Sequence, residues 1–304
     1  MILLSILNPL VHAVLTENDC IDFINVHMSP EDRIFLTADF IESNAKQALS
    51  TRDKFPWGSQ ISDIMFLNDV LPYISLREPL DNWRSGNFTT FMVDLVKDCS
   101  DIPCAVTALN TNAWSITHPP IIFEPSQANK INSYSPLETI RRGNASCTGL
   151  SIFLVDALRS VGIPARVAGT PHWDLGPEKC PKGDADALCG NHNWVEVFIP
   201  GQGWSFVDQR RPDLKVLPLN ESFFYPEQAQ RQRGENDNHS IFATSFASPG
   251  WLMTQPEYWF GAGIFPAYRF LMVWDLSSIA VRAWNVGALY SKVCDNEQIT
   301  IEEF

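Results

Sequence analysis

Between Arg159 and Ala165 the hydrophobic period of this 304-residue chain changes, and that change limits the possible folds more than any other feature. Upstream, Leu150, Phe153, Leu154, Ala157, Leu158 and Val161 recur at helical spacing. Cys147 to Val161 therefore reads as a helix packed along one broad face, closed by Gly162 and Pro164. Downstream the period falls to two. Ala165 to Thr170, His192 to Ile199 and Trp204 to Asp208 read as strands, and Pro200-Gly201-Gln202-Gly203 turns the last two into an antiparallel hairpin. A helix followed by antiparallel strands is an α+β arrangement.

Nearer the N-terminus, Ser29-Pro30-Glu31-Asp32 is a helix start, continued by Ile34, Phe35, Ala38, Ile41 and Ala45. Further helical stretches cover Ile61 to Leu71 and Phe88 to Lys97, so residues 20–115 form a mainly helical layer. Ser135-Pro136-Leu137-Glu138 has capping-box spacing and opens a short helix stopped by Gly143. There is no internal repeat and no low-complexity linker. Residues 14–304 are thus expected to form a single compact unit, with a core and C-terminal extension over 116–304.

Charge narrows the partners. The 35 acidic residues outnumber 22 Lys and Arg, for a net charge of −13. A nucleic-acid partner, which needs a basic surface, is not expected. The run Met1 to Ala13 ends in Val11-His12-Ala13 and reads as a secretory signal peptide, too short to be a stable membrane anchor. Sequons at Asn87, Asn144, Asn220 and Asn238 agree with a secreted, extracellular glycoprotein, although a glycan on Asn144 would crowd Cys147. In an oxidising compartment seven cysteines cannot all pair within one chain, so one thiol should stay free.

Cys147 stands where Gly143-Asn144-Ala145-Ser146 meets the start of the long helix. There the unpaired N–H groups and the positive dipole end favour a thiolate, and the same groups suit an oxyanion. A cysteine in such a place can equally be a small apolar residue of the core. His192 begins one hairpin strand and Asp208 ends the other, so a carboxylate can orient an imidazole beside the thiol. A simple two-residue turn offsets these two by about three residues, which calls for a bulge or twist. Asp213 and Glu196 are the other candidates for the carboxylate.

Four blocks in this order resemble the transglutaminase-like superfamily: Gly143 to Cys147, Ala157 to Arg166, Asn191-His192-x-Trp194-Val195-Glu196-Val197, and Gly203-Trp204-x-x-x-Asp208. The resemblance covers residues 135–213. It implies a papain-like core with Cys147 as nucleophile, His192 as base and Asp208 as orienting carboxylate, and it makes Trp194 a core or wall residue. Asp69 to Tyr73 with Glu78 to Trp83 resembles extensions of secreted microbial members. The insert from His172 to Cys189 should flank the active-site mouth, and nothing resembles the calcium sites or β-sandwiches of animal tissue transglutaminases.

Among the remaining cysteines, a Cys180–Cys189 disulfide is preferred to a zinc site formed with His172 and His192, because their spacing is too wide for structural zinc. Cys99 and Cys104 can close a second small loop, and elimination pairs Cys20 with Cys294, leaving Cys147 free. The aromatic residues Trp173, Trp251, Trp259, Trp274 and Trp284 suit a core better than a sugar-binding wall. The expected function is a secreted thiol enzyme acting on an amide carbonyl of a peptide, protein or glycopeptide, with no cofactor and no metal. Hydrolysis is favoured over amine transfer. The alternative is a catalytically silent secreted binding protein on the same scaffold, with carbohydrate as its candidate ligand.

Overall fold

The computed structural model describes residues 14–125, 134–171, 191–209, 219–230, 232, 240–258, 263–271 and 281–291. An N-terminal layer contains α1 (Glu17–His27), α2 (Asp32–Phe35), α3 (Ala38–Lys54), α4 (Asp63–Asp69), α5 (Asn87–Val96) and α6 (Ile102–Asn112). The expected helix from Ser29 through Ala45 is broken at Leu36 and Thr37. Ser29 Oγ accepts from the Asp32 amide at 3.0 Å just ahead of α2, whose N-cap is Glu31, but Thr37 opens a new helix by accepting from the Phe40 amide at 3.2 Å. Ile34 and Phe35 consequently lie exposed on α2 instead of entering the core.

The chain then forms β1 (Ile122–Phe123), α7 (Pro136–Arg142), β2 (Asn144–Ala145) and α8 (Cys147–Arg159). The expected capping box at Ser135 is not made: Ser135 caps without a side-chain bond, and Glu138 turns instead to Arg141 and Arg142. Asp81 of the helical layer supplies the missing acceptor, taking the Leu137 amide at 3.0 Å and bonding the Ser135 hydroxyl. Gly143, at φ 71°, ends α7 in the left-handed conformation that glycine adopts without strain.

The main sheet is built from β3 (Ala165–Thr170), β4 (His192–Ile199), β5 (Gly203–Val207), β6 (Phe242–Thr244), β7 (Phe265–Ala267) and β8 (Ala283–Asn285). Its order is β5-β4-β3-β6-β8-β7, with every pairing antiparallel. Short helices α9 (Glu227–Gln230), α10 (Pro249–Leu252) and α11 (Gly287–Ser291) complete the C-terminal part. The last three strands lack a strong alternating pattern and were not expected from the sequence.

The α8 helix packs on β3 and β4 while α5, α6 and α7 cover its other sides. It is therefore central. Every residue from Thr148 to Arg159 is buried, where the sequence predicts one buried face. The polar positions survive burial because they find partners: Arg159 donates to the carbonyls of Asp69, Ala165 and Ile74 at 3.0–3.1 Å. Trp57 reaches the helix's end, donating from Nε1 to the Val161 carbonyl at 2.9 Å. The helical layer thus fixes α8 in place.

Cys99 and Cys104 form the expected disulfide. Cys20, expected to pair with Cys294, is instead a free, fully buried thiol on the inner side of α1, where it packs as a small apolar residue. Burial pushes that thiol up to about 12, so it stays protonated. Cys180, Cys189, Cys294, His172 and Asp213 lie outside the described residues, as do residues 1–13, expected to be a signal peptide, and the insert expected at the active-site mouth.

Candidate active site

Local sequence explains the position of Cys147. After the Gly143 break, β2 pairs in parallel with β1, and Ser146 caps α8 by accepting from the Gly149 amide at 3.4 Å. Cys147 is the first helical residue, a free and half-buried thiol at the positive end of the helix.

The hairpin register places His192 and Asp208. Ile199 pairs with Gly203 and Val195 with Val207, so three residues form the connection. Gly201 at φ 79° and Gly203 at φ 87° supply the backbone conformations this tight reversal needs. Continued by one residue, the register sets Asp208 across from Trp194. His192 is then two residues away on the same face, a diagonal neighbour. The expected three-residue offset is replaced by two, and the bulge is unnecessary. His192 Nε2 lies 3.1 Å from Asp208 Oδ1, with both side chains buried. Asp208 Oδ2 is buried without a hydrogen-bond partner among the described residues.

The third contact joins His192 to Cys147, whose side chains hydrogen bond. Because Nε2 is engaged by Asp208, Nδ1 is the ring nitrogen left for the thiol. Burial alone would raise the Cys147 thiol. The hydrogen bond and charge of His192, helped by the Asn193 backbone amide, overcome that cost and hold it below its ordinary value. Burial works against the His192 cation as well, but Asp208 and then Cys147 lift the imidazole to about 9. The two shifts together favour a thiolate–imidazolium pair.

Alternation along β4 divides its side chains. Asn193 faces α8, where Thr148 Oγ1 donates to Asn193 Oδ1 at 2.8 Å. His192, Trp194 and Glu196 share the opposite face, under an aromatic layer. Phe223 and Phe224 lie 5.1 and 5.2 Å from the imidazole, and Phe224 packs 4.9 Å from Trp194. Trp194 is fully buried, as expected. Glu196 is committed elsewhere: it accepts from Arg166 Nε at 2.7 Å and from the Tyr290 hydroxyl at 2.6 Å. This occupancy removes it as a rival to Asp208.

A sequence profile of the transglutaminase-like superfamily matches residues 105–209, a span that begins in α6 and runs through Cys147, His192 and Asp208. Residues 105–209 form a transglutaminase-like core. Structural comparison finds similarity to a candidate cysteine protease from Cytophaga hutchinsonii, at 15% identity and TM-score 0.30, covering 40% of this chain and 36% of that one. The periplasmic domain of TgpA from Pseudomonas aeruginosa is also similar, at 23% identity and TM-score 0.29, covering 42% of this chain and 47% of that one when bound to ethylmercury. The chain thus spans less than half the length of these solved structures. Comparison with curated proteins found no match. The likeness of residues 105–209 to this superfamily rests on the profile match and supports a cysteine-type enzyme in general. Among the described residues, no group of three or more His, Cys, Asp or Glu could hold a metal ion.

Sequence reasoning missed two polar neighbours of the transglutaminase-like core's candidate triad, Asn193 and Gln209. Each directly follows an expected site residue, and each is a buried amide. It also missed Phe223 and Phe224, whose approach to His192 depends on a chain reversal far from the motifs.

Proposed function

We propose that this protein is a secreted thiol enzyme that breaks an amide bond of a peptide, protein or glycopeptide through an acyl-enzyme on Cys147. The single observation that carries the reading is the contact of His192 with both Cys147 and Asp208, at the start of a buried helix. The Cys147 thiolate attacks the carbonyl carbon, and the N–H groups of the first turn of α8 face the developing oxyanion. As the C–N bond breaks, the His192 imidazolium gives its proton to the leaving nitrogen. Neutral His192 then takes a proton from water, which attacks the thioester and returns the thiol. An amine in place of water gives transfer; hydrolysis is the leading form. Asp208 orients the imidazole and stabilises its charged state. On this reading residues 14–304 act as one unit after removal of the leader.

A peptide-library turnover assay read by mass spectrometry tests the proposal. Cleavage, deamidation and amine transfer each change product mass differently. Wild-type protein is expected to turn over amide substrates, while Cys147→Ala, with an unchanged circular dichroism spectrum, gives no product. Equal turnover by that variant overturns the mechanism. Binding without turnover by the wild type favours the silent binding module.

A further inference from the structure

Gln209 follows Asp208, just beyond the end of the β4–β5 ladder at Val195 and Val207. Continued by two residues, the register sets Gln209 across from Asn193, where its side-chain amide takes over from the backbone. Gln209 Nε2 donates to the Asn193 carbonyl at 3.2 Å and to the Cys147 carbonyl at 3.3 Å. Its Oε1 accepts from the Ser151 hydroxyl at 3.4 Å, one helical turn beyond Cys147. An amide NH2 has two donors, and here each meets a carbonyl of a different element. The three bonds tie the residue after Asp208 to the nucleophile's own backbone and to the residue after His192. The site is buried, so this amide has no water to exchange for its partners.

We propose that Gln209 is a positioning residue: it locks the separation of α8, β4 and β5 so that Cys147, His192 and Asp208 hold the geometry of the ion pair. The inference rests on the thiol-enzyme reading above and adds to it a residue that touches neither substrate nor the reacting atoms. Its side chain acts through backbone carbonyls, so a chemically matched series separates bonding from packing. Methionine keeps the length and bulk of glutamine but offers neither donor. Glutamate keeps the shape, yet its carboxylate would present only acceptors to two carbonyl oxygens.

The test measures kcat, KM and the pH dependence of Cys147 alkylation by iodoacetamide, followed by peptide mapping so that other thiols do not contribute. Gln209→Met is expected to fold, to lower kcat about 100-fold with KM little changed, and to move the alkylation profile towards that of an ordinary thiol. Gln209→Glu is expected to be as impaired as methionine at neutral pH and to recover in part as the pH falls, because the protonated carboxyl regains a donor. Wild-type kcat in either variant at neutral pH overturns the proposal. So does an alkylation profile unchanged in Gln209→Met, if the wild-type profile shows the low-pKa thiol. A wild-type Cys147 that alkylates like an ordinary thiol overturns the ion pair itself, and the positioning role with it. If Gln209→Met does not fold, Gln209→Glu carries the same decision through its acid-side recovery, and the absence of that recovery refutes the role.

Discussion

At the residue scale, Cys147 and His192 owe their chemistry to each other more than to their separate surroundings. Burial opposes charge on both, yet their mutual contact and Asp208 reverse the outcome, lowering the thiol and raising the imidazole to about 9. The signs define a pH window. The reactive pair appears as the thiol loses its proton and disappears as His192 loses its own near pH 9. Activity should therefore rise on the acid side, hold through neutrality and fall through about pH 9. Asp208→Asn removes the charge that lifts His192, so its alkaline limb should move to lower pH, with kcat reduced about 100-fold. A pH–rate profile of the two proteins checks this, and an unmoved alkaline limb would count against Asp208. The thiol and histidine were legible in the sequence because each begins an element whose boundary is marked by Gly143 or by the period change. The offset between His192 and Asp208 was not, because it turns on a three-residue connection instead of two.

Elements hold these residues through a second, largely buried network on the face of β4 turned away from α8. Trp194, the neighbour of His192 on that face, donates from Nε1 to the Tyr290 hydroxyl at 2.8 Å, and Tyr290 donates to Glu196. Arg166 of β3 completes the set, pairing with Glu196 while its guanidinium lies 3.8 Å over the Trp204 ring of β5. Three strands and α11 meet here. Removing one partner leaves the other charge buried, so Glu196→Ala should cost about 3–5 kcal/mol of stability. A double replacement of Arg166 and Glu196 by apolar residues of similar volume should cost less than that single change. Urea unfolding of the three proteins measures the difference, and a Glu196→Ala loss within 0.5 kcal/mol, about the scatter of a surface substitution, would show that the pair carries no structural burden. The sequence identified Glu196 as a carboxylate of interest; only pairing β3 with β4 opposite Arg166 revealed its partner.

Across the whole molecule, the helical layer and the sheet enclose α8 between them, and few of the bonds that join them are local. Asp81 caps α7 from 56 positions away, and Trp57 reaches Val161 over 104. The cap is the more informative to remove. Asp81→Ala should destabilise the fold by about 1 kcal/mol, the usual loss of an N-terminal cap, and shift hydrogen-exchange protection at α7 before α8. Uniform loss of protection across both helices would contradict a local capping role. The seven-cysteine argument also changes at this scale. Cys20 is a second free thiol, held protonated in the core, so parity no longer singles out Cys147. What distinguishes Cys147 is its helix terminus and its contact with His192.

Local signals pointed to the α8 helix, the β3 to β5 strands and the Cys99–Cys104 loop, and together with the family resemblance they made Cys147, His192 and Asp208 the candidate site residues. These are short-range properties: periodicity, turn chemistry and helix boundaries act over a few residues. Tertiary structure decided that α8 is buried on every side, that Asp81 replaces the Ser135 side chain as the acceptor capping α7, and that Cys20 stays unpaired. It also brought Gln209 to the carbonyls of Cys147 and Asn193. The reason is common to all four. A buried polar group must find a partner wherever the packed chain supplies one, and that partner's distance along the sequence places no limit on the choice.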